Sequence, residues 1–229
     1  MSVTGVLFLA DLGYDDRIWT DLGASFGPGA GPGPDVIVAA GWTAGQAVQA
    51  ALDGRAAGLV LFQPTPDYLP PEARSEVSLE EILAAATPWA GLIEAAQETD
   101  PARRTELVIA TWRDIYGPHL AAPDVELACA VIADHAGEVL DIVARGTAAA
   151  MAGGPAPQPG PPWVDRLAEL AVPVTVITNR RASRVGQALA RRIRDGRLVV
   201  ADAETDLVWL EDRAGARAAI GDMLLRVAG

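Results

Sequence analysis

Two periods of apolar and polar positions run along this chain, and the switches between them predict its elements. Val3 to Leu9 is a short apolar run with β-branched residues, bounded by Gly13, the pattern of a buried strand. From Asp15 to Phe26 the apolar residues Ile18, Trp19, Leu22 and Phe26 recur at helical spacing. Gly27 to Pro34 is a glycine and proline run that neither a helix nor a ladder accommodates. Asp35 to Ala40 then predicts a second buried strand, Ala44 to Asp53 a helix, and Gly58 to Phe62 a third strand stopped by Pro64 and Pro66.

The middle of the chain keeps one period. From Ser78 to about Gly153 the spacing is helical throughout. Ser78 and Glu81 form a capping-box pattern, and Pro88 is placed to break or kink that helix. Asp100-Pro101 is an N-cap followed by proline at the first helical position, opening a helix to about Tyr116. Asp124 to Met151 predicts a long helix bent near Gly137. Gly153 to Pro162 carries five prolines in ten residues and reads as a linker. Strands at Val172–Ile177 and Arg197–Ala201 follow, with helices at Gly186–Arg194 and Arg213–Val227.

Strand–helix alternation on both sides of a helical block implies an α/β fold: a mostly parallel sheet carrying a helical cap. The expected organisation is a core formed by 1–66 and 163–229, with the cap and its Pro/Gly linker at 67–162.

Composition removes several chemistries from this frame. The 229 residues carry 18 basic and 30 acidic side chains, a formal net charge of −12, which argues against nucleic-acid and anionic-membrane partners. Every basic residue is arginine, so lysine Schiff bases and the P-loop lysine are excluded. The single cysteine, Cys129, permits no intramolecular disulfide; it sits on an apolar helical face and reads as an inert buried thiol. Two histidines, His119 and His135, leave little imidazole for catalysis, and no metal or other cofactor is expected. There is no basic leader, and the apolar runs are too short to span a bilayer, so a cytoplasmic protein is expected. Abundant Ala, Gly, Pro and Arg without Lys match a GC-rich bacterial genome.

Candidate chemistry lies at strand ends. After the second predicted strand, Gly41-Trp42-Thr43-Ala44-Gly45 leads into a helix, small residues flanking a central hydroxyl. This resembles the nucleophile elbow of the α/β-hydrolase family, G-x-S-x-G in the same setting. Leu9-Ala10-Asp11-Leu12-Gly13-Tyr14 resembles that family's oxyanion loop, usually His-Gly-x-Gly, and Val172–Ile177 the strand before the loop of the catalytic acid. Thr205-Asp206-Leu207-Val208-Trp209-Leu210-Glu211-Asp212 resembles the Gly-His-x-x-x-x-Glu segment before the last helix. The resemblance implies a shortened α/β-hydrolase-like sheet, one strand missing between the oxyanion-loop strand and the elbow strand.

It also implies that the triad is not retained. Thr43 stands where the family has serine, Asp206 where it has histidine, and Ala182 where it has the acid, while Ala10-Asp11 replaces the His-Gly pair. A hydroxyl nucleophile needs a base to take its proton, and an aspartate of pKa about 4 serves poorly. Both histidines fall in the cap region, away from the base position.

Three readings follow. In the leading one the chain binds a small, largely apolar carbonyl compound of bacterial specialised metabolism and acts by non-hydrolytic acid–base chemistry, such as cyclisation or elimination. Thr43, Asp206 and Asp11 are then the catalytic set, the backbone N–H groups of Leu12 and Ala44 bind an oxyanion, and Trp42 and Tyr14 line the pocket. The second reading is a non-catalytic binding scaffold, and the third a weak Thr-dependent hydrolase. Arg180 or Arg181 paired with Asp206 would hold the loops together but weaken Asp206 as a base, so those roles compete. Trp19, Trp163 and Trp209 have core-like spacing, and the sequence leaves the oligomeric state open, a homodimer included.

Overall fold

The computed structural model describes residues 5–11, 14–26, 35–66, 90–151 and 162–229. They divide into two compact units, one built on a sheet and one helical. The expected capping box at Ser78 and the Gly153–Pro161 part of the linker lie outside the described residues.

The sheet unit holds five parallel strands in the order β1 (Val6–Leu9), β2 (Asp35–Ala40), β3 (Ala56–Phe62), β4 (Val174–Thr178) and β5 (Gly196–Val200). β1 pairs directly with β2, Val6 opposite Val36 and Leu9 opposite Ala39. The three central strands are nearly continuous apolar runs because a parallel sheet is covered on both faces. On the two edge strands the cover thins, leaving Leu7, Val199 and Val200 exposed. Helices α1 (Thr20–Phe26) and α2 (Ala44–Leu52) follow β1 and β2. A 3-10 turn at Asp16–Trp19 precedes α1, in place of the single helix expected from Asp15.

The small residues of α2 let it lie close on the sheet. Ala44, Gly45, Ala47, Val48, Ala50 and Ala51 are all buried. A Cβ on Gly45 would stand 3.0 Å from Trp163 Cδ1, closer than that contact normally allows. The opposite side of the core is aromatic. Trp19 lies with its ring centroid 4.5 Å from Trp209 and 5.9 Å from Phe62, and Phe8 joins at 5.4 Å from Trp19. The expected core roles of Trp19, Trp163 and Trp209 agree with their burial, each at most 4% exposed.

Among the described residues, the helical unit contains α3 (Ala90–Gln97), α4 (Pro101–Tyr116), α5 (Ala122–Asp134) and α6 (Ala136–Met151), together with the segment 14–18. That segment was expected within the uninterrupted core 1–66. Its side chains bind the helices instead: the Trp112 indole N–H donates to the Tyr14 hydroxyl at 2.7 Å, and Arg17 bridges Asp15 and Asp134 at 2.7 and 2.6 Å. The Arg17 guanidinium holds the Asp15 carboxyl well below the usual carboxylate range.

α4 begins as its sequence predicts. Asp100 accepts the Ala102 N–H at 3.0 Å, ahead of Pro101 at the first helical position. Asp100→Ala is expected to cost about 1 kcal/mol, read as a lower urea midpoint with unchanged slope. The long helix expected from Asp124 with a bend near Gly137 is two helices, broken at His135. The His135 N–H bonds back to Ile132 O, three residues behind, which closes the first helix; its ring lies 3.4 Å from Asp15 and 3.5 Å from Glu138. Cys129 is buried, and that burial pushes its thiol pKa up, consistent with an unreactive group. No helix among the described residues is long and apolar enough to cross a membrane.

Candidate functional site

The β2–α2 turn concentrates the unusual backbone. β2 ends at Ala40 in extended geometry, and Gly41 turns the chain with φ +50° into a 3-10 turn, Gly41–Thr43, that runs on into α2. Positive φ disfavours residues with a Cβ, so glycine is the residue this apex accepts. Thr43, the expected nucleophile, is not at the apex: its φ of −77° and ψ of −6° are ordinary helical values. A side chain emerging from the apex would therefore belong to position 41, which has none.

A carboxylate fills that space. A Cβ built on Gly41 would fall within the carboxyl group of Asp11. Asp11 Oδ1 accepts the Trp42 N–H at 2.8 Å, so the end of β1 is tied to the turn after β2. Sequence reasoning placed Asp11 near the site but missed Gly41. Its only signal was a second glycine, directly after the strand, competing to mark the apex.

The other expected residues distribute as follows. Thr43 is 7% exposed, and its hydroxyl donates to Ala40 O at 2.8 Å with Leu9 O at 3.3 Å. That hydroxyl braces the ends of two strands. The Ala44 N–H was expected to bind an oxyanion; it donates to Gly41 O, because it already belongs to the helical turn. Leu12 lies outside the described residues. Tyr14 belongs to the helical unit, while the described lining residues of the cavity below belong to the sheet unit. Arg180 and Arg181 turn to other carboxylates than Asp206: Arg180 to Asp202 at 2.7 Å, and Arg181 to Glu204 at 3.2 Å. Both pairs are exposed and contribute little to stability.

Asp11, Gly41, Trp42 and Asp206 line one cavity of about 300 Å³, with Gln63–Pro66, Thr178 and Trp209 among the other walls. It opens at the carboxyl ends of β2, β3 and β4, where open α/β sheets place their ligands. Gln63 carries the one positive φ outside glycine among the described residues, +42°, a strained backbone beside the cavity. Two contacts hold it: its N–H donates to Ile177 O at 2.8 Å, and its side chain accepts the Asn179 N–H at 3.0 Å.

Asp206 itself is exposed, but the loop before it is fixed. Asn179 Nδ2 donates to Thr205 O at 3.0 Å, and Asn179 Oδ1 accepts the Ala182 N–H. The Glu211 carboxylate accepts the N–H groups of Glu204 and Thr205 at 2.9 Å and the Thr205 hydroxyl at 2.8 Å. Hydrogen bonds to a charged acceptor are worth about 1.5–3 kcal/mol each. Glu211→Ala is accordingly expected to speed amide hydrogen exchange at Glu204 and Thr205 by about tenfold or more, while the β2 amides keep their protection.

Chemically, the cavity brings together on its described walls the carboxylates of Asp11 and Asp206 and the Trp42 N–H, which donates to Asp11. Its described walls hold no histidine and no arginine. Among the described residues no cluster of His, Cys, Asp or Glu is arranged to hold a metal ion.

No protein-family model and no curated protein sequence matches the chain. Its backbone does match solved structures. MenH from S. aureus aligns over 100% of this chain and 96% of its own, with a TM-score of 0.57 and 12% identity. Proline iminopeptidase from Mycobacterium smegmatis aligns over 97% and 89%, with a TM-score of 0.58 and 12% identity. The carboxylesterase CesB from Bacillus subtilis aligns over 96% and 82%, with a TM-score of 0.58 and 11% identity. At such identities the likeness concerns the path of the chain, and catalytic residues do not transfer with it.

Proposed function

We propose that this chain, which has the α/β-hydrolase fold, binds a small, largely apolar carbonyl compound and moves a proton on it without forming an acyl-enzyme. The supporting observation is the Asp11 carboxylate, standing over the side-chain-less apex at Gly41 and facing the cavity. The Trp42 N–H fixes the carboxylate by donating to Oδ1, and in this reading the carboxylate accepts a proton from the carbon beside the ligand's carbonyl. The C–H electron pair forms the new C=C bond while the carbonyl π pair moves onto oxygen, and the resulting enolate proceeds to cyclisation or elimination. Asp206 is a second carboxylate on the cavity wall, suited to returning a proton from the solvent side. The setting in this reading is a cytoplasmic bacterial enzyme of specialised metabolism.

Hydrolysis through Thr43 finds less support. Its hydroxyl hydrogen is directed at backbone carbonyls, and no imidazole stands on the described cavity walls to withdraw it. The test is solvent exchange. Small ketones, β-keto esters and β-hydroxy carbonyl compounds are incubated with the protein in D2O, and proton NMR follows loss of the α-proton signals. Accelerated wash-in on at least one class is the expected result. Saturable binding with no exchange would identify a non-catalytic scaffold instead.

A further inference from the structure

We propose that the Gln63 side-chain amide recognises the ligand's carbonyl in this cavity, its Nε2 donating a hydrogen bond to the carbonyl oxygen. The inference rests on the reading that the cavity takes a neutral carbonyl compound, and it adds the residue that selects the carbonyl. Gln63 directly follows β3, apart from the β2–α2 turn, and belongs to the cavity wall. Its φ of +42° is costly for a residue with a Cβ, whereas glycine adopts it readily. Pro64, next in the chain, narrows the backbone choices of the residue before it. Such a conformation persists where its surroundings over-determine it. Here the Gln63 N–H donates to Ile177 O at 2.8 Å and the Thr65 N–H to Gly41 O at 2.9 Å, so the segment is pinned on both sides.

One contact orients the amide. The Asn179 N–H donates to it at 3.0 Å, and only the oxygen end, Oε1, can accept. Nε2 is the end left over, a two-hydrogen donor with no hydrogen-bond partner among the described residues. The charged groups of the walls do not serve a carbonyl oxygen. Ionised Asp11 and Asp206 accept hydrogen bonds and donate none. The Trp42 N–H is given to Asp11, and the described walls hold no arginine or histidine. A carbonyl oxygen entering here is therefore met by a neutral donor. Gln63 is the one side-chain amide of the described walls, and because its other end is already held, it has little freedom to lose on binding.

Acetophenone is the probe, and α-methylstyrene, with CH2 in place of the carbonyl oxygen, is its shape-matched control. Protein amide shifts in NMR titrations give both dissociation constants, and their ratio cancels any general damage to the cavity. In Gln63→Met, which keeps an unbranched side chain but no donor, the ketone's affinity relative to the hydrocarbon should fall about three- to tenfold from wild type. Gln63→Glu keeps an oxygen for the Asn179 N–H and so guards against a wall that collapses in Gln63→Met. At about pH 8 its carboxylate is ionised and donates nothing, and the ratio should fall at least as far. A ratio unchanged in a folded variant would mean that Gln63 only shapes the wall, or that another donor such as the Thr65 hydroxyl meets the carbonyl, and it overturns the inference. Binding of neither ligand by the wild type would overturn the reading itself, and the inference with it. Absence of deuterium wash-in while the ratio falls as expected would overturn the proposed proton transfer alone and support the role of Gln63.

Discussion

Trp209→Ala is expected to lower the unfolding free energy by about 3–5 kcal/mol, the range for removing a large buried aromatic side chain. Trp209 is 2% exposed and stacks 4.5 Å from Trp19, with Phe62 at 5.9 Å on another side. Truncation leaves both of those rings beside a void, and the aligned aromatic contacts add to the lost burial. The same side chain walls the cavity, so ligand binding should weaken even where the fold survives. Trp209→Phe keeps most of the volume and disposes of the unpaired indole N–H; its cost should be no more than about half as large. Urea denaturation of the two variants gives the comparison, and equal losses would show that bulk is not what matters at this position.

Gly41→Ala is the second large effect, expected at about 3 kcal/mol. The left-handed backbone at φ +50° costs a residue with a Cβ about 1–2 kcal/mol. The new methyl also takes the place of the Asp11 carboxyl, which breaks the bond from the Trp42 N–H, a charge-assisted contact worth about 1.5–3 kcal/mol. A double-mutant cycle separates the two parts. On an Asp11→Gly background the carboxyl is already gone, and Gly41→Ala should then cost only the backbone share. An unchanged cost on both backgrounds would mean that the methyl and the carboxylate do not compete for space.

Much of the sheet was legible from pattern alone. Asp35–Ala40 and Gly58–Phe62 read as buried strands because a parallel sheet covered on both faces writes uninterrupted apolar runs. Asp100-Pro101 announced the start of α4 through its capping chemistry. The break at His135 was less legible. Gly137 carries the local breaker signal, yet it sits within α6, because the chain had already left the helix at a residue bonded to its third predecessor.

Of the candidate site residues, the structure brings some together and sends others elsewhere. Asp11, Trp42 and Asp206 do share a cavity. The five-residue elbow pattern, however, put the apex at Thr43, while the backbone puts it two positions earlier. A motif fixes spacing between small residues: Gly41 and Gly45 flank Thr43, and Ala39 and Thr43 flank Gly41 at the same spacing, so only the sign of φ separates the two registers. Side-chain partners reached across loops were also beyond the sequence. Arg180 and Arg181 had several carboxylates within reach of their loop, and neighbours in chain order did not reveal that Asp202 and Glu204 would take them.

The central claim is that the carboxylate at the apex, not the hydroxyl two residues later, performs the chemistry. The most direct measurement compares Asp11→Asn with Thr43→Val in the deuterium wash-in assay, each rate normalised to folded protein. Asp11→Asn keeps the Trp42 N–H satisfied but cannot take a proton, and its rate should fall by about 10²–10⁴-fold, the usual weight of a general base, while Thr43→Val stays near the wild type. Loss of exchange in Thr43→Val with retention in Asp11→Asn would contradict the account.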